Sequence, residues 1–99
     1  VKRIRIYAND GSCQQIQKEA LRRFGGYTTY YTHGAWTNDD NEAVTESSVV
    51  VEVMAPFSLS IPGLYGALST IAALQGEDEY WVTVEDVDVR VVSAESELS

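Results

Sequence analysis

VKRIRIYANDGSCQQIQKEALRRFGG, residues 1–26, reads as a strand followed by a helix that packs back on it. Residues 1–7 alternate, with Ile4 and Ile6 on one face and Arg3, Arg5 and Tyr7 on the other. Such alternation marks a half-buried strand. Asn9-Asp10-Gly11 is a turn signal. Ser12, with Gln15 three residues on, has the spacing of a capping box that opens a helix. Cys13, Ile16, Ala20 and Phe24 then recur at helical spacing, with Leu21 widening the stripe. Gly25-Gly26 stops the helix, and Arg22 and Arg23 suit the negative end of its dipole.

The same grammar repeats with one change. Tyr27 to Trp36 is rich in Tyr and Thr and reads as a second strand. Asn38 to Asn41 makes a polar turn, and Thr45 to Met54 is a third strand that Pro56 ends. Ser60 suits the cap of a second helix with Pro62 in its first turn. Leu64, Ala67, Leu68, Ile71 and Ala72 form its apolar stripe, and Gly76 closes it. Tyr80 to Val92 is a last strand or strand pair. Val82 and Val84 share one parity, while Val87, Val89 and Val91 share the other, so a bulge or break is required near Glu85-Asp86. The order βαββαβ predicts an α+β ferredoxin-like plait: one antiparallel four-stranded sheet with both helices on one face. Right-handed crossovers favour the strand order 4-1-3-2. We expect a single domain over 1–92 and a mobile acidic tail over 93–99.

Arg22-Arg23-Phe24-Gly25-Gly26-Tyr27-Thr28, then Gly34-Ala35-Trp36 before a polar hairpin, then Glu46-Ser47-Ser48 before three valines, resemble a family of small uncharacterised α+β proteins found in bacteria and phages. The resemblance covers roughly residues 22–53. It implies a plait fold and a role for Trp36 and Glu46, and nothing about substrate. The acidic hairpin and the Tyr30-Tyr31 pair before His33 fall outside the family pattern.

Charge narrows the partners. Seven bases against fifteen acids give a formal net charge of −8 over 99 residues. Phosphate contacts need clustered cations, so neither nucleic acid nor an anionic membrane is an expected partner. Residues 1–24 hold six of the seven bases, and everything after them holds one, Arg90. The fold must therefore bring a basic first quarter against an acidic remainder, either to neutralise itself or to steer a partner. One cysteine excludes an intrachain disulfide, and one cysteine with one histidine makes a structural zinc site unexpected. No export signal or membrane span is expected, which points to the cytoplasm.

The chemistry candidates are few. His33 is the one side chain that titrates near neutral pH without perturbation, and it is the candidate catalytic group. Tyr30, Tyr31, His33 and Trp36 could line a pocket for a small molecule between sheet and helices. Cys13 lies in the first turn of a helix, where the dipole lowers a thiol pKa, but it is equally a small core residue. Asp39, Asp40, Asn41 and Glu42 lack the spacing and the glycine of a calcium loop, so no metal is expected there. Glu77, Asp78 and Glu79 lie past the second helix, where its dipole disfavours anions. No cofactor is expected, since Gly25-Gly26 ends a helix and cannot cradle phosphate at a helix start.

Arg3 or Arg5 should meet Glu52 across the middle of the open side of the sheet, flanked by tyrosines and Trp81. The binding residues expected on these grounds are Arg3, Arg5, Tyr30, Tyr31, His33, Trp36, Glu46, Glu52 and Trp81. Three functions follow. The first is a non-enzymatic binding or assembly protein, a homo-oligomer, encoded by a phage or other mobile element. The second is a small plait enzyme with its site around Tyr30, Tyr31, His33 and Trp36. The third is an acidic inhibitor that covers a basic surface of a host protein.

Overall fold

The computed structural model describes residues 1–56 and 61–94. In chain order the elements are β1 (Lys2–Ala8), α1 (Asp10–Phe24), β2 (Thr28–Thr37), β3 (Ala43–Ala55), α2 (Ile61–Gln75) and β4 (Trp81–Asp86). The four strands form one sheet in the order β2-β3-β1-β4, with every neighbouring pair antiparallel. This is the expected plait, with β1 and β3 side by side in the centre.

The core is what the alternation requires. Ile4 and Ile6 of β1 and Val51 and Val53 of β3 are buried with Ile16 and Ala20 of α1 and Leu64, Leu68 and Ile71 of α2. At about 25 cal/mol per Å² of apolar surface removed from water, this layer carries most of the stability. Gly25 sits at φ 80 and ends α1, its N–H donating to the Leu21 carbonyl at 2.9 Å. Gly76 closes α2 in the same left-handed conformation, at φ 71.

Three local readings change. Asn9, not Ser12, caps α1: its side-chain oxygen accepts the Ser12 N–H at 2.9 Å, so Asp10 and Gly11 belong to the first helical turn. Ser12 is instead fully buried and accepts a hydrogen bond from the Tyr80 hydroxyl at 2.5 Å. The break near Glu85-Asp86 is the end of the strand. The Val87 N–H still donates to the Val1 carbonyl at 2.9 Å, but residues 87–93 form no strand, and Val89, Val91 and Val92 are exposed. The Ser60 cap and most of the acidic tail lie outside the described residues.

The strands are of unequal length. β1 pairs with β3 only from Val49 to Ala55, whereas β2 pairs with β3 from Ala43 to Glu52. Beyond Val49 the sheet therefore narrows to a two-stranded ribbon, residues 32–37 against 43–48. Asn38 closes its tip by accepting the Asp40 and Glu42 N–H groups at 3.0 and 2.9 Å, and Asn41 takes a φ of 62.

Candidate functional site

Antiparallel register aligns side chains in rows, and it fixes which residues share the face that no helix covers. Arg5 lies opposite Glu52 on one side and Thr83 on the other, and Glu52 lies opposite Thr28. One row along, Tyr7 lies opposite Trp81 and Val50, and Val50 lies opposite Tyr30. Val50 is fully buried although it belongs to this open face, between its register neighbours Tyr7 and Tyr30.

The centre of the face is a chain of charge-assisted contacts. Arg5 Nε donates to Glu52 Oε1 at 2.9 Å, and the Tyr30 hydroxyl donates to the same oxygen at 3.3 Å. Arg5 Nη1 lies 3.3 Å from Glu85 Oε1, and Arg3 Nε donates to that oxygen at 2.7 Å. Lys2 and Asp86 add a pair at 2.6 Å. All four strands thus contribute to one network. The hydrogen bond to Glu52 holds the Arg5 guanidinium above its ordinary pKa, against the opposing pull of desolvation. Burial first, and the Glu52 charge second, push the Tyr30 phenol up, so it stays a neutral donor. The bases of β1 are therefore answered by acids from β3 and β4, which is how the basic first quarter meets the acidic remainder.

Parity sorts the candidate residues. Arg3, Arg5, Tyr30, Trp36, Glu46, Glu52 and Trp81 share the open face, with Trp36 opposite Val44 and Glu46 opposite Gly34 on the ribbon. Tyr31 and His33 point to the other side, where His33 Nδ1 lies 3.5 Å from Ser47 Oγ. Tyr31, His33 and Trp36 are all exposed. The four residues expected to line one pocket are thus divided two and two, and β2 reaches past the helices that would wall it. Two grooves of about 440 and 580 Å³ do lie along the helices, and neither includes Tyr30, Tyr31, His33 or Trp36.

Cys13 is half-buried, and burial raises its thiol pKa, with the Asp10 charge adding to the rise. The direction is opposite to the lowering expected from the helix dipole. No cluster of metal-ligating side chains occurs among the described residues. Glu85, which joins Arg3 to Arg5, was not among the candidates. Its signal was the shared parity of Trp81, Thr83 and Glu85.

No protein-family model matches the chain, and no curated protein sequence matches it. Solved structures do match. A DUF3240 family protein from Shewanella baltica OS155 superposes with a TM-score of 0.70 at 12% identity, over 94% of this chain and 96% of its own. The PII-like protein CutA from Nostoc sp. PCC 7120 gives 0.69 at 13% identity, over 89% and 82%. A phage SAM lyase in complex with S-methyl-5'-thioadenosine gives 0.55 at 16% identity, over 95% and 90%. The fold is the ferredoxin-like plait. At these identities the likeness is one of fold. No helix of the plait, among the described residues, is long and apolar enough to cross a membrane.

Proposed function

We propose that this plait is a non-enzymatic binding or assembly protein that works as a homo-oligomer and is encoded by a phage or other mobile element. The observation that carries this reading is the polar network spanning all four strands on the face no helix covers. Exposed ion pairs contribute only ~0–1 kcal/mol each, so stability alone explains such a network poorly. Guanidinium and carboxylate groups held in fixed register beside Tyr30 and Trp81, the latter 72% exposed, suit a self-complementary contact or a polar ligand. Two further features favour association. The β2 edge is ten residues long, has no proline or lysine, and has one strand neighbour only. Val89, Val91 and Val92 follow β4 as exposed, strand-forming residues without a ladder.

In this reading the open face is the contact between copies, and Arg5 and Glu52 set its register. Sedimentation of wild type, Arg5→Ala, Glu52→Ala and the double variant tests it. Weaker assembly in both single variants, with less than additive loss in the double, is the expected result. A wild type that is monomeric at every concentration excludes the reading.

A second reading has one specific observation behind it: the phage SAM lyase shares the fold over 95% of this chain. Tyr30, Trp36 and Glu46 lie on one face, and a second copy covering that face would enclose them. Here the protein acts on a small molecule of the S-adenosylmethionine class. Incubation with S-adenosylmethionine and chromatography for S-methyl-5'-thioadenosine decides it. Product formed by wild type and lost in Glu46→Gln supports catalysis, and no product sinks it.

A further inference from the structure

Chain direction separates charge along the molecule. α1 begins directly after β1, at the end of the sheet from which the ribbon projects, and runs ~22 Å away from it. The ribbon tip and the basic end of α1 are therefore at opposite poles. The tip carries Asp39, Asp40, Glu42 and Glu46 without a base, all exposed, with Trp36 53% exposed beside them. The far end of α1 carries Lys18, Arg22 and Arg23. Arg22 and Arg23 share the single carboxylate of Glu19, at 2.7 and 3.0 Å, and Lys18 has no ion pair among the described residues. That pole is left net positive.

A groove of about 580 Å³ opens beside those bases, between α1 and α2. Lys18, Glu19 and Arg23 form one wall, and Gly63, Gly66 and Leu74 contribute to the other. A Cβ at Gly63 would sit 2.7 Å from Arg23 Nη1, whereas one at Gly66 would meet nothing within 4 Å. Leu74 stands 74% exposed at its rim. The groove therefore offers an apolar floor with cations on one side. Its complement is an acidic segment bearing a large apolar side chain.

We propose that this groove receives the acidic, Trp36-bearing ribbon tip of a second copy, so that copies associate head to tail. A chain cannot fill its own groove, because its tip projects from the opposite pole. The contact is heterologous: the donor surface and the acceptor surface differ, so it closes into a ring or continues as a filament. The inference shares with the proposed function only the premise that copies associate, and its acceptor groove lies between the helices, away from the open face.

Charge reversal tests it. One variant reverses the tip (Asp39→Lys, Asp40→Lys and Glu42→Lys), and another reverses the groove side (Lys18→Glu with Arg22→Glu). All five positions are exposed, and thermal melting checks that each variant folds. Masses are measured by sedimentation at low and at raised salt. The wild type should be assembled at low salt and shift toward smaller species as salt rises. Each variant alone should lose that assembly, because its tip and groove then carry like charges. An equimolar mixture should recover it, because each tip then meets a groove of opposite sign. Variants that keep the wild-type mass, or a mixture that stays dissociated, overturn the inference. Assembly that is lost in Arg5→Ala but indifferent to both charge reversals leaves the open-face contact standing and removes this one. Wild-type chain that is monomeric throughout removes both.

Discussion

Gly25 is a single residue whose backbone alone sets a cost. At φ 80 a side chain is strained, although a Cβ there would meet no neighbour within 4 Å. Gly25→Ala should therefore destabilise by ~1 kcal/mol through backbone conformation. Gly26 has no positive φ and equal space, so Gly26→Ala should be neutral or slightly stabilising. Urea unfolding of the two variants separates these outcomes, and equal loss in both would refute the assignment. Cys13 gives a second test at this scale. Its thiol is half-buried and held above the ordinary value by burial and then by Asp10, so little thiolate exists at neutral pH. Iodoacetamide at pH 7 should modify native protein much more slowly than protein unfolded in urea. Comparable rates would show a thiol activated by the helix instead.

At the scale of the element, the start of α1 shows what a local window can and cannot see. Asn9 and Ser12 are both competent caps, and the Ser12–Gln15 spacing favoured the wrong one. The deciding partner, Tyr80, is 68 residues away and takes Ser12 into the interior. Asn9 also donates through its side-chain amide to Glu77, which ties the helix start to the loop before β4. Asn9→Ala should then cost ~1 kcal/mol or more, while Gln15→Ala should cost little. Denaturant midpoints for the two variants measure this, and a larger loss at Gln15 would restore the capping box. Strand order was legible, because βαββαβ with right-handed crossovers leaves few arrangements. The meeting of Arg5 and Glu52 was legible too, since parity on two central strands places them on one face. The same parity, applied to β2, would have divided Tyr30 and Trp36 from Tyr31 and His33. The valines after Asp86 announced a break in phase. Whether a strand resumes there depends on a partner edge, which residue order does not carry.

At the scale of the whole molecule, the balance of charge predicts how solution conditions act on stability. Six of the seven bases already sit in ion pairs: Lys2, Arg3, Arg5, Arg22, Arg23 and Arg90. Among the described residues, the acids outside those pairs, Asp39, Asp40, Glu42 and Glu46 among them, have no cation within ion-pair distance. Added salt weakens both the pairs and the repulsion, but exposed pairs contribute only ~0–1 kcal/mol each. Repulsion among the unmatched acids should dominate. Tm at pH 7 should then rise with salt, measured at a concentration too low for assembly. Acid acts with the opposite sign on two specific groups. Glu19 is held below its ordinary value of 4.5 by the hydrogen bond from Arg22, with Arg23 assisting, and Asp86 below 3.8 by Lys2. A carboxylate depressed in the folded state contributes stability that is complete above its unfolded value and is lost as pH falls through its folded value. Between pH 7 and about 5 these two contributions stay whole, and only below their unfolded values do they fade. Near the isoelectric point of about 4.4 the net repulsion is gone, so the rise of Tm with salt should vanish there. Glu19→Gln should flatten part of the decline in stability below pH 4.5 and leave the salt response at pH 7 nearly unchanged. A Tm at pH 7 that falls with salt would mean that the strand-spanning pairs outweigh the repulsion, and the stability of the sheet would then rest on its charged open face.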